Sequence, residues 1–365
     1  MFKRLCIFTS ITLLFCSLLF SDSYGVFNFP VSTEHSGMGL FTGSADVWSQ
    51  NALSVSSNPA LSSMQKGINL SAMNGKLLFD DYSYSSAYAN LAFSGVGLNL
   101  PFINPKTNFG SSLETEIDLT SEDPYGEPEK GTLTDSYLTY NFSVNTTSFK
   151  NLSSDRFILS SGLTFCQFYE DIDPNESIKH RAYSNNFGLA ALYKVKGYDD
   201  EYSGKMDLSF AFSANNIFNQ KYKRFDNELY LPNYKSFGVG FFSAMPLNPN
   251  IGSSRLLSKH CKNAISFKAL SSLNYSSDMD EILSIGGELG FLDTFFIRQG
   301  YYEFNYPNHP NGSKGRTTGL GLKLNLTKYA SLSYNYAFYP ISDYFDDQTR
   351  WDISANIGFE KFFKN

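Results

Sequence analysis

The sequence has little cysteine and little histidine, and this limits the metal and thiol chemistry it could carry. Its 365 residues include 4 Cys and 4 His. Cys6 and Cys16 lie in an apolar N-terminal stretch, while Cys166 and Cys261 are far apart and form no CxxC pair. The scattered histidines predict neither a zinc cluster nor a Ser/His/Asp arrangement. We therefore expect no cofactor, no metal and two free thiols, with a single Cys166–Cys261 disulfide as the alternative.

The sequence also lacks an excess of basic charge. Lys and Arg number 29 and Asp and Glu number 35, which gives a formal net charge of −6. A protein that binds nucleic acid usually carries a basic surface that contacts phosphates. We therefore expect no nucleic-acid partner.

Long apolar runs are missing beyond the first 25 residues. Residues 1–25 contain Lys3 and Arg4, the apolar run "LCIFTSITLLFCSLLF" and a small residue at Gly25. This order is typical of a cleaved export signal. After it, no run approaches the roughly 18 to 20 apolar residues that a membrane-spanning helix needs. If the mature chain is embedded in a membrane, it must therefore be a closed β-barrel.

Aromatic residues, in contrast, are abundant. Aromatic side chains make up 16% of the chain, with 34 Phe and 24 Tyr, and charged side chains make up only 18%. A transmembrane barrel uses aromatic residues on its lipid face and in girdles at both membrane interfaces. The composition therefore favours a barrel over a soluble domain.

Residues 317–326, "TTGLGLKLNL", alternate strictly between two kinds of side chain. Side chains alternate across a β-strand, so every second residue lines one face. The polar face suits a wet lumen and the apolar face suits lipid. A large soluble β-sandwich is the alternative, since alternation alone does not separate the two. The apolar face holds Leu320, Leu322, Leu324 and Leu326, and the other face holds Gly319, Gly321, Lys323 and Asn325.

About thirteen segments with this alternation lie between residues 67 and 363. Bacterial barrels of one chain have even strand numbers. We therefore predict an all-β fold, a transmembrane antiparallel β-barrel of about fourteen strands over residues 67–365, with twelve or sixteen as alternatives.

Two stretches do not resemble strands. Residues 101–131 hold four prolines and a dense run of acidic side chains, and residues 305–316, "NYPNHPNGSKGR", are polar and rich in Pro and Gly. The acidic stretch lacks the spacing of a calcium-binding loop. We expect the first to be a long external loop and the second to be a connection between strands.

The segment before the first clear strand, residues 26–66, shows no strand pattern. Its Asn58-Pro59 pair is a turn signal, and Pro59 cannot donate to a sheet ladder. A barrel of about fourteen strands is wide enough to hold such a segment. We therefore expect residues 26–66 to form a hatch that plugs the barrel.

The stretch from Ala52 to Ala60, which contains "NPA", resembles the N-terminal signature of FadL-type outer-membrane channels and the related PorV/PorQ proteins. Later motifs are similar in order to the same group: "FSANNIFN" (212–219), "LPNYKSFGVGF" (231–241), "FFIRQGYYE" (295–303), "GLGLKL" (319–324) and "SYNYAFYP" (333–340). The resemblance spans most of the mature chain. One departure is the C-terminus, "FEKFFKN", in which Lys364 and Asn365 follow the last aromatic residue.

The resemblance implies a fourteen-stranded barrel in the outer membrane, plugged by an N-terminal hatch. Members of the group pass long-chain fatty acids or other hydrophobic small molecules. Asn58, Pro59 and Ala60 would match the hatch motif. The partners implied are membrane lipid and a hydrophobic ligand, with protein partners at the external loops.

Three other functions compete with a hydrophobic channel. A PorV-like secretion-associated or structural barrel would bind protein partners, and a general porin would pass water-soluble molecules. An enzyme at the barrel rim could use His180 near Glu170, Asp171 and Asp173. No nucleophile, base and orienting group occur at diagnostic spacing, so we expect that the protein is not an enzyme.

Overall fold

The structure is a computed structural model of the chain. The expected signal, residues 1–25, and the start of the expected hatch, residues 26–31, lie outside the residues that the structure describes. These are residues 32–77, 82–104, 107–108, 111–119, 129–173, 178–196, 204–218, 220–224, 227–230, 233–247, 261–276, 281–306, 309–327, 329–340 and 348–358.

The described residues are mostly in β-strands. The strands, numbered in chain order, are β1 (Gly67–Leu77), β2 (Tyr82–Phe93), β3 (Val96–Pro101), β4 (Ile103–Asn104), β5 (Thr107–Asn108), β6 (Ser111–Leu119), β7 (Glu129–Asn145), β8 (Phe157–Asp173), β9 (Ile178–Lys196), β10 (Lys205–Asn215), β11 (Lys221–Arg224), β12 (Asn227–Tyr230), β13 (Tyr234–Pro246), β14 (Asn263–Ser276), β15 (Glu281–Phe291), β16 (Phe295–Tyr306), β17 (His309–Asn325), β18 (Ala330–Tyr339) and β19 (Gln348–Ile357).

Fifteen of these strands form one closed antiparallel sheet. β1 pairs with both β2 and β19, so the sheet has no free edge there. β3 and β6 both pair with β2 and β7, and together they fill one position in the wall. The barrel therefore has fourteen strand positions, and the prediction of an all-β transmembrane antiparallel barrel of about fourteen strands is confirmed. The pairs β4–β5 and β11–β12 are separate two-stranded sheets.

The position shared by β3 and β6 is interrupted. Tyr88 of β2 pairs with Pro101, whereas Ser86, two residues away, pairs with Ser111. Phe102 still donates its backbone N–H to the carbonyl of Ala87 at 2.9 Å, and residues 103–104 and 107–108 then pair with each other in the separate sheet of β4 and β5. On β7, residues 138–140 have no partner in either β3 or β6. We call this interruption the wall gap.

Two expectations about loops were wrong in part. Residues 111–119 and 129–131, which were expected in an external loop, belong to β6 and β7, and residues 309–316, expected in a connection, belong to β17. The sequence "SSLETEIDL" does alternate, but its acidic residues occupy alternate positions and made the segment resemble a loop. In a wide barrel both faces of a strand can be polar beyond the lipid-facing band, so charge alone does not exclude a strand.

The outside of the barrel is apolar and the inside is polar, as predicted. The lipid-facing side chains Leu320, Leu322, Leu324 and Leu326 are 37 to 62% exposed. Gly319 and Gly321, on the other face, are buried. The same division holds on β8, where Phe165 is exposed and Cys166 is buried. Leucines on this face contact lipid rather than a protein core.

Helices are short and occur mainly before β1. No helix in the described part of the chain has the length and apolar character needed to cross a membrane. Cys166 and Cys261 are both free thiols and both buried. The helices are an α-helix at Thr33–Ser36 and 3-10 helices at Thr42–Ala45, Ala52–Ser56, Pro59–Met64 and Thr146–Ser148.

The two ends of the barrel differ in their connections. We call one the turn end, because residues 94–95 and 292–294 make tight connections there. The first residue of β1 and the last residue of β19 lie at the same end. The other, the loop end, holds the end of β1 and the start of β2. The two ends define a direction along the bore.

Candidate functional site: the segment inside the barrel

Residues 32–66, which we call the inner segment, are held within the ring of strands. Their helix at Thr33–Ser36 contacts β17, β18 and β19, and the 3-10 helix at Thr42–Ala45 contacts β10, β13 and β14. The helix at Ala52–Ser56 contacts β1 and β2, and the one at Pro59–Met64 contacts β3, β7, β8 and β9. Most of its side chains are buried. The inner segment therefore touches the wall on all sides.

The polar lumen face of the wall satisfies the irregular backbone of the inner segment. The hydroxyl of Ser209 donates to the carbonyl oxygen of Ala45 at 2.7 Å, and that of Ser272 donates to the carbonyl of Phe41 at 2.7 Å. A buried carbonyl without a partner would cost free energy comparable to a lost hydrogen bond. Serines on the lumen face therefore supply hydrogen bonds that the backbone of this segment, which is not part of a sheet, would otherwise lack.

Asn58, the first of the three expected motif residues, joins the inner segment to two strands. Its amide nitrogen donates to the carbonyl oxygens of Leu189 at 3.0 Å and Phe212 at 3.3 Å, and to that of Ser44 within the segment. Its side-chain oxygen accepts from the backbone amide of Ala60 at 3.0 Å. Asn58 therefore caps the next helix and also binds the wall.

Pro59 and Ala60 continue this attachment. Pro59 occupies the first turn of the helix that Asn58 caps, where its missing N–H costs nothing. Asn141 of β7 donates to the carbonyl of Pro59 at 3.0 Å, and Ser160 of β8 donates to that of Ala60 at 2.7 Å. The three motif residues thus lie together against β7, β8, β9 and β10.

Glycines on the wall allow this close approach. Gly162 of β8 and Gly188 of β9 are paired across the strands. A Cβ atom at Gly188 would overlap the side-chain oxygen of Asn58, and one at Gly162 would overlap the carbonyl of Pro59. The paired glycines therefore form a seat for the turn at Asn58 and Pro59.

A second glycine pair seats another part of the inner segment. Gly286 of β15 pairs with Gly300 of β16. A Cβ atom at either position would overlap the backbone of Met38 or Gly39. Gly39 itself has a φ of +91°, a conformation that other residues rarely adopt. The inner segment is therefore fitted to the wall by backbone contact at two separate places.

Buried charges form a third attachment, which we call the charge network. The ammonium of Lys268 on β14 lies 2.8 Å from a carboxylate oxygen of Glu34 and 2.8 Å from one of Asp46. It also lies 3.4 Å from Glu288, which pairs with Arg298 at 2.6 Å. Both cations belong to the wall, and Glu34 and Asp46 belong to the inner segment. The network therefore joins the segment to β14, β15 and β16.

The network continues to the last strand of the barrel. Arg298 donates to the side-chain oxygen of Asn335 at 2.8 Å, and Asn335 donates to Asp352 at 2.7 Å. The other oxygen of Asp352 accepts from the backbone amide of Thr33 at 3.2 Å and from the side chain of Asn51 at 3.0 Å. Asp352 on β19 therefore holds two parts of the inner segment.

Both carboxylates of the inner segment are ionised in this environment. Burial alone would raise the pKa of Glu34, but the nearby cations Lys268 and Arg298 outweigh burial and hold the pKa below its usual range. Burial likewise acts to raise the pKa of Asp46, and the charge of Lys268 with the hydrogen bond from His35 lowers it overall. The attachment at neutral pH is therefore between full charges.

Glu34, His35 and Asp46 are close enough to hold a metal ion, since one ligand atom from each lies within 4.8 Å of the others. However, the ammonium of Lys268 already contacts both carboxylates, and His35 Nε2 lies 3.1 Å from Asp46. The position that a cation would take is held by the lysine. These residues therefore fit a structural ion pair better than a metal centre.

Aromatic side chains face inward between the inner segment and the loop end. Several have hydroxyls that are bonded to the protein: Tyr234 donates to Asn274 at 2.7 Å, and Tyr302 donates to the carbonyl of Pro340. With its hydroxyl engaged, a tyrosine ring packs as a largely apolar group. We call this set the aromatic lining; it consists of the buried residues Tyr88, Phe168, Tyr234, Tyr302 and Tyr339 and the partly buried Tyr137, which packs against Phe168.

On the turn-end side of the inner segment lies a cavity of about 900 Å³. One wall carries the charge network, and the other carries apolar side chains that include Ile158, Leu192 and Phe242. Trp48 of the inner segment stacks on Phe242 at 5.6 Å between ring centroids and donates to Asp207 at 3.2 Å. The inner segment therefore lies between buried aromatic side chains toward the loop end and this mixed cavity at the turn end.

The structure places the consecutive residues Asn58, Pro59 and Ala60 against the barrel wall. The charge network, in contrast, was not predicted from the sequence. Its wall members, Lys268, Glu288 and Arg298, occupy buried lumen-facing positions on strands whose outer faces are apolar, and a charged residue at such a position was the available signal. The residues considered for an enzyme lie at the loop end of β8 and β9, where the register places Glu170 opposite His180. The side chains of that set lie outside the described residues.

Comparisons with known proteins support the architecture. No family model matches the sequence, and no curated protein matches it. Among solved structures, the chain is similar to a deltaS2S3 mutant of the TodX monoaromatic hydrocarbon channel, with a TM-score of 0.50 and 11% identity over 93% of this chain and 99% of that one. A Pseudomonas aeruginosa FadL homologue gives a TM-score of 0.48 at 11% identity over 91% and 100%.

An identity of 11% supports an inference about fold and not about ligand. The resemblance to FadL-type channels expected from the sequence is confirmed at that level, because the TodX mutant matches nearly the full length of both chains. The chain therefore has the closed fourteen-stranded barrel fold of the FadL-type channels.

Proposed function

We propose that this protein is an outer-membrane channel for uptake of hydrophobic small molecules, with long-chain fatty acids as one candidate class. The observation that carries the proposal is the aromatic lining, which places apolar rings on the loop-end side of a bore that the inner segment occupies. A pathway for sugars or ions would instead be lined by polar groups and would stay open to water.

The aromatic lining supports apolar selection through its hydroxyl contacts. Tyr88 donates to the carbonyl of Tyr137 at 3.3 Å, and the hydroxyl of Tyr137 lies 3.4 Å from that of Ser184. Polar atoms already bonded within the protein offer little to a polar solute. A hydrophobic solute needs only apolar contact, which the ring faces supply.

The wall gap supports a sideways exit into the membrane. Residues 138–140 of β7 pair with β8 but not with β3 or β6, and the helix at Pro59–Met64 contacts both β3 and β7. A hydrophobic molecule gains more from entering lipid than from entering water. In this proposal, the inner segment acts as the hatch and the gap acts as the exit.

We also propose that the signal at residues 1–25 is cleaved and that the loop end faces outward. Barrels of this kind have tight turns on the periplasmic side and longer loops outside. Protein partners would then meet the chain at the loop end. Transport of this kind needs no catalytic group, and we propose that the protein is not an enzyme.

The test is to reconstitute the full chain in proteoliposomes and to compare it with a chain lacking residues 26–60. The full chain should transfer a fluorescent fatty acid and exclude sugars in a swelling assay. The shortened chain should admit sugars, because an unplugged barrel of fourteen strands leaves an aqueous path.

Matched controls separate loss of folding from loss of the plug. Both chains should migrate differently before and after boiling on a denaturing gel, as closed barrels do. If both folded chains admit sugars equally, the hatch proposal fails. If the full chain transfers no more fatty acid than empty liposomes, the channel proposal fails.

A further inference from the structure

Apolar side chains line one side of the cavity on the turn-end side of the inner segment, which we call the turn-end cavity. Ile158 of β8 pairs with Leu192 of β9, and Phe242 of β13 lies two positions further round the ring. All three line the cavity and are only partly buried. Apolar surface that faces a cavity of about 900 Å³ gains free energy when an apolar molecule covers it. We call these three residues the apolar wall.

A lysine and two serines lie side by side on another part of the same cavity. Lys323 of β17 pairs with Ser333 of β18, and Ser333 pairs with Ser354 of β19. Paired residues on neighbouring strands have their side chains on the same face of the sheet. All three residues line the turn-end cavity. We call these three residues the polar row.

The polar row lies across the bore from the apolar wall. With β3 and β6 counted as one position, β17 is seven positions from β8 in the ring of fourteen, and β18 is seven positions from β9. Seven positions are half of the ring, so these strands face each other. A molecule that contacts both sets must therefore be long, with one polar end and one apolar end.

The ammonium of Lys323 is available to a ligand. Lys268 and Arg298, which line the same cavity, already bond to Glu34 and Glu288. The ammonium of Lys323, in contrast, makes no hydrogen bond or ion pair with any residue in the described ranges, although it is half-buried at the cavity. Partly buried charges are screened less than exposed ones. Lys323 is therefore suited to bind an anion.

Ser354 adds a hydroxyl that lacks a partner. Its side chain is 5% exposed, and its hydroxyl oxygen has no hydrogen-bond partner within the described part of the chain. The hydroxyl of Ser333 makes only a long bond, 3.5 Å, to the carbonyl of Ser354. A buried hydroxyl without a bond is destabilising. An anionic oxygen at the polar row would accept the bond that this hydroxyl can donate.

We propose that the turn-end cavity binds a long-chain amphiphile with a carboxylate head. The carboxylate lies at the polar row, where Lys323 supplies the charge and the serine hydroxyls donate to its oxygens. The hydrocarbon chain crosses the bore to the apolar wall. The inner segment lies between this site and the aromatic lining, so the two are separate. The choice of a fatty acid as the ligand rests on the proposed function, whereas the charged head and the long chain follow from the cavity.

Photolabelling of the full chain in proteoliposomes tests this site. The probe is a palmitic acid analogue with a photoreactive diazirine near its methyl end, and mass spectrometry identifies the labelled residues. Leu192 and Phe242 should be labelled. Tyr193, which is 42% exposed on the outer face, reports probe that is dissolved in the bilayer. The ratio of label at Leu192 to label at Tyr193 therefore measures occupancy of the cavity.

Lys323→Gln should lower this ratio about tenfold, because a hydrogen bond to a charged group contributes a factor of that order. Lys323→Arg keeps the charge and should retain most of the label. The matched control is Lys150→Gln, which changes an exposed lysine that does not line the cavity. The methyl ester of the probe should label Leu192 of the native chain as weakly as the acid labels the Lys323→Gln variant. The gel shift on boiling shows that each variant is folded.

An unchanged ratio in Lys323→Gln, or equal ratios for the acid and its ester, would overturn recognition of the carboxylate. Absence of label at both Leu192 and Phe242 in the native chain would overturn the site itself. These results are distinct from those of the transport assay. A labelled cavity without transfer of fatty acid would retain the site and remove the channel, whereas transfer without a labelled cavity would do the reverse.

Discussion

Gly162 of β8 and Gly188 of β9 are paired on adjacent strands, and the turn at Asn58 and Pro59 lies directly against both. The backbone of the inner segment takes the space that two side chains would fill. Packing of this kind tolerates little added volume. The fit of the inner segment therefore depends on residues of the wall as much as on its own sequence.

Gly188→Ala should displace the turn at Asn58 without preventing barrel assembly. The added methyl group meets the side-chain oxygen of Asn58, and overpacking of this kind costs about 1 to 3 kcal/mol. Sugar entry into proteoliposomes should rise. Gly204→Ala is the control, because its nearest atom would be 3.5 Å away. If the two variants behave alike, the seat does not hold the turn.

Lys268→Met should loosen the attachment of the inner segment more than any change at an exposed lysine. It leaves Glu34, Asp46 and Glu288 without the cation they share, and removing one partner of a buried pair costs about 3 to 5 kcal/mol. The temperature at which the folded gel band disappears should fall. Lys323→Gln, at a half-buried site, should have little effect on that temperature. Equal losses in both variants would contradict a special role for the network.

Acid should weaken the same attachment. The pKa values of Glu34 and Asp46 are lowered in the folded protein. Their contribution is therefore present above the unfolded values, about 4.3 and 3.9, and is lost as the pH falls below them. The unfolding temperature should therefore fall as the pH is lowered below about 4. Asp46→Asn should reduce this dependence, whereas Asp155→Asn, at an exposed turn, should leave it unchanged.

Leu322→Arg tests the assignment of the outer face. Leu322 lies in the apolar row on β17, opposite Phe295 at the turn-end start of β16, and a charge on the lipid face costs about 2 to 4 kcal/mol at the bilayer centre and about 0 to 1 kcal/mol near the interfaces. The free energy of folding into lipid vesicles, measured by denaturant titration, should fall by an amount toward the lower end of that range. The neighbouring Lys323→Gln should change it much less. The reverse order would mean that the faces are exchanged.

Alternation along the strands predicted the barrel, its lipid face and the approximate strand number. That success follows from a strict physical rule, since a residue on a strand faces either lipid or lumen. The rule did not lead to the prediction of β6, because the acidic residues in "SSLETEIDL" made this strand resemble a loop. Charged residues indicate contact with water, but they do not exclude a strand, because the strands of a barrel can extend into water beyond the membrane.

The charge network could not be predicted because its members are distant in sequence. Lys268 and Glu34 are separated by 234 residues. Alternation places Lys268 in the lumen, but its partner depends on how the inner segment runs through the bore. Asn58 and Pro59 were recognised because a short motif carries them, whereas Glu34 and Asp46 belong to no motif.

Asp352 has a consequence for the order of assembly. It lies on β19, the last of the described strands in chain order, and it holds Thr33 and Asn51, which precede β1. β19 also closes the ring by pairing with β1. Arrival of β19 therefore completes the wall and adds one more attachment of the inner segment in the same step. A chain that stops before residue 348 lacks both the strand that pairs with β1 and the contacts of Asp352 with Thr33 and Asn51.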